Sequence, residues 1–263
     1  MKLELKNKVA LVTGSHRGTG EIIAKRLADE GATVIAHGLK SNSADHVPDS
    51  SAVEYAVWGD ILTDAGAEQA VEQALNKAGR IDILINNYGT ADEKNWLTAD
   101  TDDWLHMYQV NVLSAARMIR LLVPQMRELG WGRIIQLGTI GSTQPNALRP
   151  HYYAAKGALA NIAVGLAKEV ANTGITVNTI SPGYIKTPEV EAAFRAKAKR
   201  EGWDDDWETI EARIVARRFP NPVGRIATRE EVADLVCFIA SARAAFINGQ
   251  NIRIDGGHID IVH

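Results

Sequence analysis

Tyr152 and Lys156 stand four residues apart in a stretch of helical character, so their side chains share one helix face. A free phenol titrates at about 10, too high for an efficient base at neutral pH. A neighbouring ammonium favours the phenolate and lowers that value. Such a pair is an acid–base device suited to the oxygen of a carbonyl or an alcohol. Tyrosine–lysine pairs are also common on helix surfaces, and Tyr153, three residues from Lys156, competes for the role. A second group of residues narrows the reading. Thr13-Gly14-Ser15-His16-Arg17-Gly18-Thr19-Gly20 follows a short apolar run and opens a helical pattern. Glycines there let the backbone approach a pyrophosphate, and the free amides of a helix N-terminus attract its charge. Spare glycines make ordinary turns too. The strand–turn–helix context is what favours a nucleotide site.

The elements that must position these groups follow from hydropathy. Residues 9–12, 33–36, 53–57, 81–85, 133–137 and 175–180 are short apolar runs that read as strands. Helical patterns cover Ile22 to Leu27, ended by Gly31, then about 64–77, 102–129 and 152–172. Apolar strands alternating with helices imply a parallel sheet covered on both faces. Right-handed crossovers then favour an α/β, doubly wound, Rossmann-type sheet. The expectation is one domain over residues 1–263, without internal repeats or low-complexity linkers. The compositional break at 188–222 is charged, carries Trp203 and Trp207, and reads as a lid insertion near 188–220.

Composition excludes other classes. Of 263 residues 46% are hydrophobic and 23% charged, the balance of a globular chain with a sizeable core. The net charge of −3 comes from interspersed signs, so no basic face for nucleic acid is expected. Cys237 is the lone cysteine and lies in the apolar run 235–239, which suits a packed thiol. It allows neither an internal disulfide nor a cysteine metal cluster, and no metal site is expected. The opening Met1-Lys2-Leu3-Glu4-Leu5 does not read as a leader, and no apolar run reaches spanning length. A cytoplasmic protein without membrane partners is the expectation.

The glycine turn has the spacing Thr-Gly-x-x-x-Gly-x-Gly and resembles that of short-chain dehydrogenases/reductases, with Thr19 where the family usually has Ile. Tyr152 and Lys156 match its Tyr-x-x-x-Lys motif, which selects Tyr152 over Tyr153. Asp60-Ile61, Asn86-Asn87-Tyr88-Gly89, Asn111 and Pro182-Gly183-Tyr184-Ile185-Lys186-Thr187 extend the likeness, with Tyr88 replacing a small residue. Pro222-Val223-Gly224-Arg225 and Gly249 to Gly257 resemble the family's closing helix and strand. The resemblance implies hydride transfer between a nicotinamide and a ketone, aldehyde or alcohol, with Tyr152 as acid or base. It also implies that Gly14, Ser15, Arg17, Gly18, Thr19, Gly38, Asp60, Ile61, Asn87, Gly89, Pro182, Gly183, Ile185 and Thr187 hold the cofactor, with Tyr152 and Lys156. Asn111 and Lys156 complete the catalytic set. Thr139 stands where the family usually has Ser; it keeps the hydroxyl and adds a methyl that narrows the pocket, and Ser142 is a rival donor.

Gly38 occupies the place of the acidic residue that binds a ribose 2′-hydroxyl in NAD-dependent relatives, and Arg17 suits a 2′-phosphate. NADP(H) is favoured and NAD(H) remains the alternative. Pocket walls are expected from 88–96, 142–151 and the 188–219 insertion, with Arg149 and His151 available to an anionic group. A 3-oxoacyl thioester of acyl carrier protein is the alternative substrate, weakened because Gly130 and Thr173 are not basic. A nucleotide-binding sensor without catalysis is a further alternative. A homo-oligomer, dimer or tetramer, is expected through the helices bearing Asn111 and Tyr152.

Overall fold

The computed structural model describes residues 2–41 and 53–261. Its strands are β1 (Val9–Val12), β2 (Thr33–Gly38), β3 (Tyr55–Trp58), β4 (Ile83–Asn86), β5 (Gly132–Leu137), β6 (Ile175–Pro182) and β7 (Asn251–Ile254). All pair in parallel, in the order β3-β2-β1-β4-β5-β6-β7. The sequence order reverses direction at β1 and β4, and in such sheets the crevice beyond the strand carboxyl ends is the ligand site. Thr13-Gly14 leaves β1 at that point, and Asn87-Tyr88-Gly89 leaves β4.

The helices are α1 (Gly18–Asp29), α2 (Asp64–Ala78), α3 (Thr101–Tyr108), α4 (Ser114–Leu129), α5 (Pro150–Glu169), α6 (Pro188–Glu201), α7 (Trp207–Arg218) and α8 (Arg229–Ala240). Successive strand residues point to opposite faces, and both faces are apolar. Leu11, Ile35, Val57, Leu84 and Ile134 pack on α2, α4 and α5 through Ala70, Met118, Leu122 and Ala163. Ala10, Val12, Val34, Ile83 and Ile85 pack on α1 and α8 through Ile23, Leu27, Val232 and Cys237. Cys237 is buried there, and burial pushes its thiol up to about 12, as befits a packed side chain.

The observed boundaries refine the sequence expectations. Strand β3 starts at Tyr55 rather than Val53 because its ladder with β2 begins at Ile35↔Tyr55. Ile81 and Asp82 precede β4, where the Asp82 carboxylate accepts from Val9 N at 2.8 Å. The single helix expected over 102–129 is α3 and α4 joined by a π turn, Gln109–Leu113. Helix α5 starts two residues early, with Pro150 at its first position, where a missing N–H costs nothing. The 188–220 stretch is two capped helices: the Thr187 hydroxyl accepts from Val190 N, and the Asp206 carboxylate from Thr209 N. Phe194, Ala198, Ile210 and Ile214 form a small core between them. Among the described residues no helix is long and apolar enough to cross a membrane.

Candidate active site

The turn after β1 is held by buried side chains. Ser15 Oγ donates to Val12 O at 2.7 Å and accepts from His37 N at 3.0 Å. Asn87 Nδ2 donates to Thr13 O and Gly14 O, at 2.9 and 3.2 Å. A Cβ on Gly20 would meet Asn87 Nδ2 at 2.3 Å, so only glycine fits there. Gly18 lies at φ 67° with open space beyond it, and Arg17 at the N-cap of α1 makes no side-chain cap. The first amides of α1 therefore face a cleft of about 560 Å³, with Gly14, Arg17, Gly18 and Thr19 on its wall. This cradle fits a nucleotide diphosphate.

Asn87 and Gly89 form the middle of the same cleft; Tyr152, Lys156, Pro182, Ile185 and Thr187 form its far end. A second cavity of about 320 Å³ adjoins it and contains Thr139, Tyr153 and Gly183. Tyr152, Ile185 and Thr187 line both spaces. Ser15, Gly38, Asp60 and Ile61 do not line the cleft. Ser15 and Gly38 are buried, and Ile61 packs in the core beside α2. Exposed Asp60 turns its Oδ1 to Leu62 N at 3.1 Å.

Lys156 is buried, and its Nζ donates to Leu137 O at 2.7 Å. Burial lowers its pKa to about 8. Nζ lies 6.0 Å from the centroid of the Tyr152 ring. The expected lowering of the phenol by this ammonium is not what the surroundings produce: burial pushes Tyr152 up to about 12, and Tyr153 adds to the rise. Arg149 and the Thr139 hydroxyl pull weakly the other way. The phenol is a proton donor at neutral pH in this setting.

Thr139 ends the loop after β5 and accepts from Gly141 N at 3.4 Å, which leaves its hydroxyl proton for a partner near Tyr152. Ser142, the rival, donates to Thr139 O at 2.7 Å and lines neither cavity. Tyr153 is fixed elsewhere: its ring covers Gly141, and its oxygen accepts from Asn146 Nδ2 at 3.1 Å. Asn111 sits in the π turn, a feature common at functional sites, and donates to Thr90 O and Met107 O. Its buried Oδ1 has no partner among the described residues. That oxygen and Lys156 Nζ lie 2.6 and 3.0 Å from the point a Gly89 Cβ would occupy.

His37, Glu189, Arg218 and His258 were not singled out from sequence. Buried His37 accepts from Gly14 N and donates through Nε2 to Gly59 O, bracing the phosphate turn against the end of β3. Glu189 lines the cleft; its own amide, the Thr187 hydroxyl, Arg17 and Arg229 hold its carboxyl low. Arg218 and His258 reach the second cavity from α7 and the C-terminal segment. His151, expected near an anionic group, is instead buried against Trp104, with ring centroids 6.1 Å apart.

A family described as Enoyl-(Acyl carrier protein) reductase matches residues 14–258. The 3-oxoacyl-[acyl-carrier-protein] reductase FabG of Salmonella typhimurium is 32% identical over 256 residues, 97% of this chain and 98% of that protein. The uncharacterised oxidoreductase YvrD of Bacillus subtilis is 33% identical over 261 residues, 98% of this chain and 99% of that protein. Among solved structures, L-sorbose reductase from Gluconobacter frateurii, complexed with NADPH and L-sorbose, superposes with a TM-score of 0.91 at 32% identity, covering 100% of both chains. With the parallel sheet and the tyrosine–lysine site already on its α5, the chain belongs to the short-chain dehydrogenase/reductase family, enzymes that interconvert carbonyls and alcohols with a nicotinamide cofactor.

Proposed function

We propose that this chain reduces a ketone or aldehyde to the alcohol with NADPH, using Tyr152 as the proton donor. The observation that carries the reading is the position of Tyr152, shared by the nucleotide cleft and the adjoining cavity, with its phenol held protonated. The nicotinamide, when bound, supplies the hydride. Thr139 hydrogen-bonds the substrate oxygen and orients it towards the Tyr152 hydroxyl. Lys156 holds the ribose end of the cofactor and fixes α5 to β5, and Asn111 supports the lysine across Gly89. Thr187 and the Ile185 backbone hold the carboxamide end. Helices α6 and α7 act as a lid over the second cavity, on a catalytic domain that spans residues 1–263.

Arg17 supports NADPH over NADH. It is exposed at the start of α1, and β2 ends in Gly38 rather than an acid. The sorbose reductase likeness is in the same direction, because that enzyme was solved with NADPH. Exposed apolar side chains on α3, the π turn and α5 (Leu105, Tyr108, Leu113 and Val164) suit a homo-oligomer. A 3-oxoacyl thioester is the second reading, favoured by the FabG likeness. Initial rates of NADPH and NADH oxidation across ketones, ketoses and 3-oxoacyl thioesters test it: turnover with NADPH is expected, and binding without turnover of any carbonyl would refute it.

A further inference from the structure

We propose that the substrate carries a carboxylate, and that Arg218 binds it, with His258 on the same cavity accepting from a neighbouring substrate hydroxyl; this rests on the second cavity being the substrate pocket. The charged groups on that wall are Arg149 and Arg218, His258 lines it too, and among the described residues no aspartate or glutamate does. Arg149 is already paired with Glu93. Arg218 has no carboxylate partner among the described residues. A cation is favourable at the end of α7 for the helix dipole alone, but that holds equally for Arg217, which turns to Trp203 and Glu201 instead. Arg218 is the one set on the cavity.

His258 follows a tight, hydrogen-bonded turn. Gly256 and Gly257 both take left-handed φ values, 64° and 84°. The two Asp255 oxygens accept from Gly257 N and Ile259 N, each at 3.0 Å. The imidazole lies on Phe219 with centroids 4.3 Å apart, and Nδ1 donates to Pro220 O at 2.8 Å. With Nδ1 donating, Nε2 of the neutral ring is an acceptor, suited to a substrate hydroxyl next to the carboxylate that Arg218 binds. A guanidinium without an acidic partner on the cavity wall is a site for a carboxylate, because charge-assisted bonds to arginine are strong and geometrically selective. Gln144 and Asn146 on the same wall suit hydroxyl groups, beside the apolar Ile140, Ile185 and Val190. The class is a short oxo acid, with its carboxylate distal to the carbonyl that meets Tyr152 and hydroxyls between them.

Calorimetric titration of D-gluconate and D-glucitol into the NADPH-loaded chain tests binding alone, since alcohol and cofactor are both in the reduced form. Gluconate is expected to bind at least about tenfold more tightly, and Arg218→Gln to abolish the difference. Equal affinities, binding of neither, or a preference that survives Arg218→Gln would overturn the proposal. The second arm compares 5-keto-D-gluconate with L-sorbose, and 4-oxopentanoate with its methyl ester, in NADPH oxidation. The acids are expected to have the higher kcat/KM, and Arg218→Gln to raise their KM about tenfold while leaving the neutral partners within twofold. Neutral carbonyls turned over as well as the acids would sink the carboxylate claim and keep the reductase. A carboxylate preference in binding with no carbonyl reduced would sink the reductase and keep the site.

Discussion

The amide of Gly14 donates to Nδ1 of His37 at 3.3 Å, while Nε2 of the same ring donates to Gly59 O at 3.0 Å. One neutral tautomer satisfies both bonds, and burial lowers the ring's pKa to about 4. Protonation would set Nδ1–H against the Gly14 N–H. The unfolded chain takes up this proton first, near 6.5, so the stabilisation is complete above that pH and is lost as pH falls towards 4. The loss by pH 4 should be about 3 kcal/mol. Urea titrations at pH 7 and pH 4.5 should show a smaller pH effect in His37→Asn than in the wild type. Equal losses in both would remove His37 from the account.

Reduction and oxidation should respond oppositely to pH. Tyr152 is raised to about 12 and remains a donor throughout the accessible range, whereas Lys156 is lowered to about 8 and loses its charge above that. The kcat/KM for carbonyl reduction should be flat from pH 6 to 7.5 and fall above about 8, while alcohol oxidation rises with pH. Lys156→Arg, which stays charged, should move the fall in reduction upward whatever activity it retains. A pH–rate profile that kept its inflection in that variant would assign it to another group.

Thr139→Ser should retain activity within a few-fold. Thr139→Val keeps the shape and loses the hydroxyl, and should lower kcat by roughly 10²-fold or more. Ser142→Ala should be mild, because the Ser142 hydroxyl serves Thr139 O. Steady-state kinetics on the three variants decide it; a crippled Ser142→Ala beside an active Thr139→Val would reverse the assignment.

Cofactor choice should follow charge. A well-formed arginine–phosphate bond contributes about 1.5–3 kcal/mol. Arg17→Ala should therefore weaken NADPH binding by about one to two decades and leave NADH nearly unchanged. Gly38→Asp should move preference towards NADH, through repulsion of the 2′-phosphate and acceptance from the 2′-hydroxyl. Parallel fluorescence titrations measure this, and a wild type that binds NADH more tightly than NADPH would contradict it.

Much of this arrangement was legible in the residues. Strands such as Val9–Val12 are buried on both faces and read as unbroken apolar runs, and the Tyr152–Lys156 spacing is local to one helix. What was hidden depends on partners far apart in the chain. His37 gains its role from Gly14 and Gly59, which only the β1–β2–β3 pairing brings together. Arg218 and His258 are forty residues apart in the chain and line one cavity together with Phe219. The raised Tyr152 pKa is not legible from spacing, because spacing does not show that the fold buries the phenol. The π turn at Asn111 leaves no mark in the sequence, because its residues continue an ordinary helical pattern.

The central claim is that the Tyr152 hydroxyl delivers the proton. Tyr152→Phe removes that hydroxyl and keeps the ring, with Tyr153→Phe as the control whose oxygen is tied to Asn146. Single-turnover NADPH oxidation with a reducible carbonyl, together with the NADPH dissociation constant, measures chemistry and binding separately. The expected result is loss of turnover by at least roughly 10³-fold in Tyr152→Phe, with NADPH affinity within a few-fold of wild type and Tyr153→Phe active. A Tyr152→Phe enzyme that turns over within a few-fold of wild type would contradict the account.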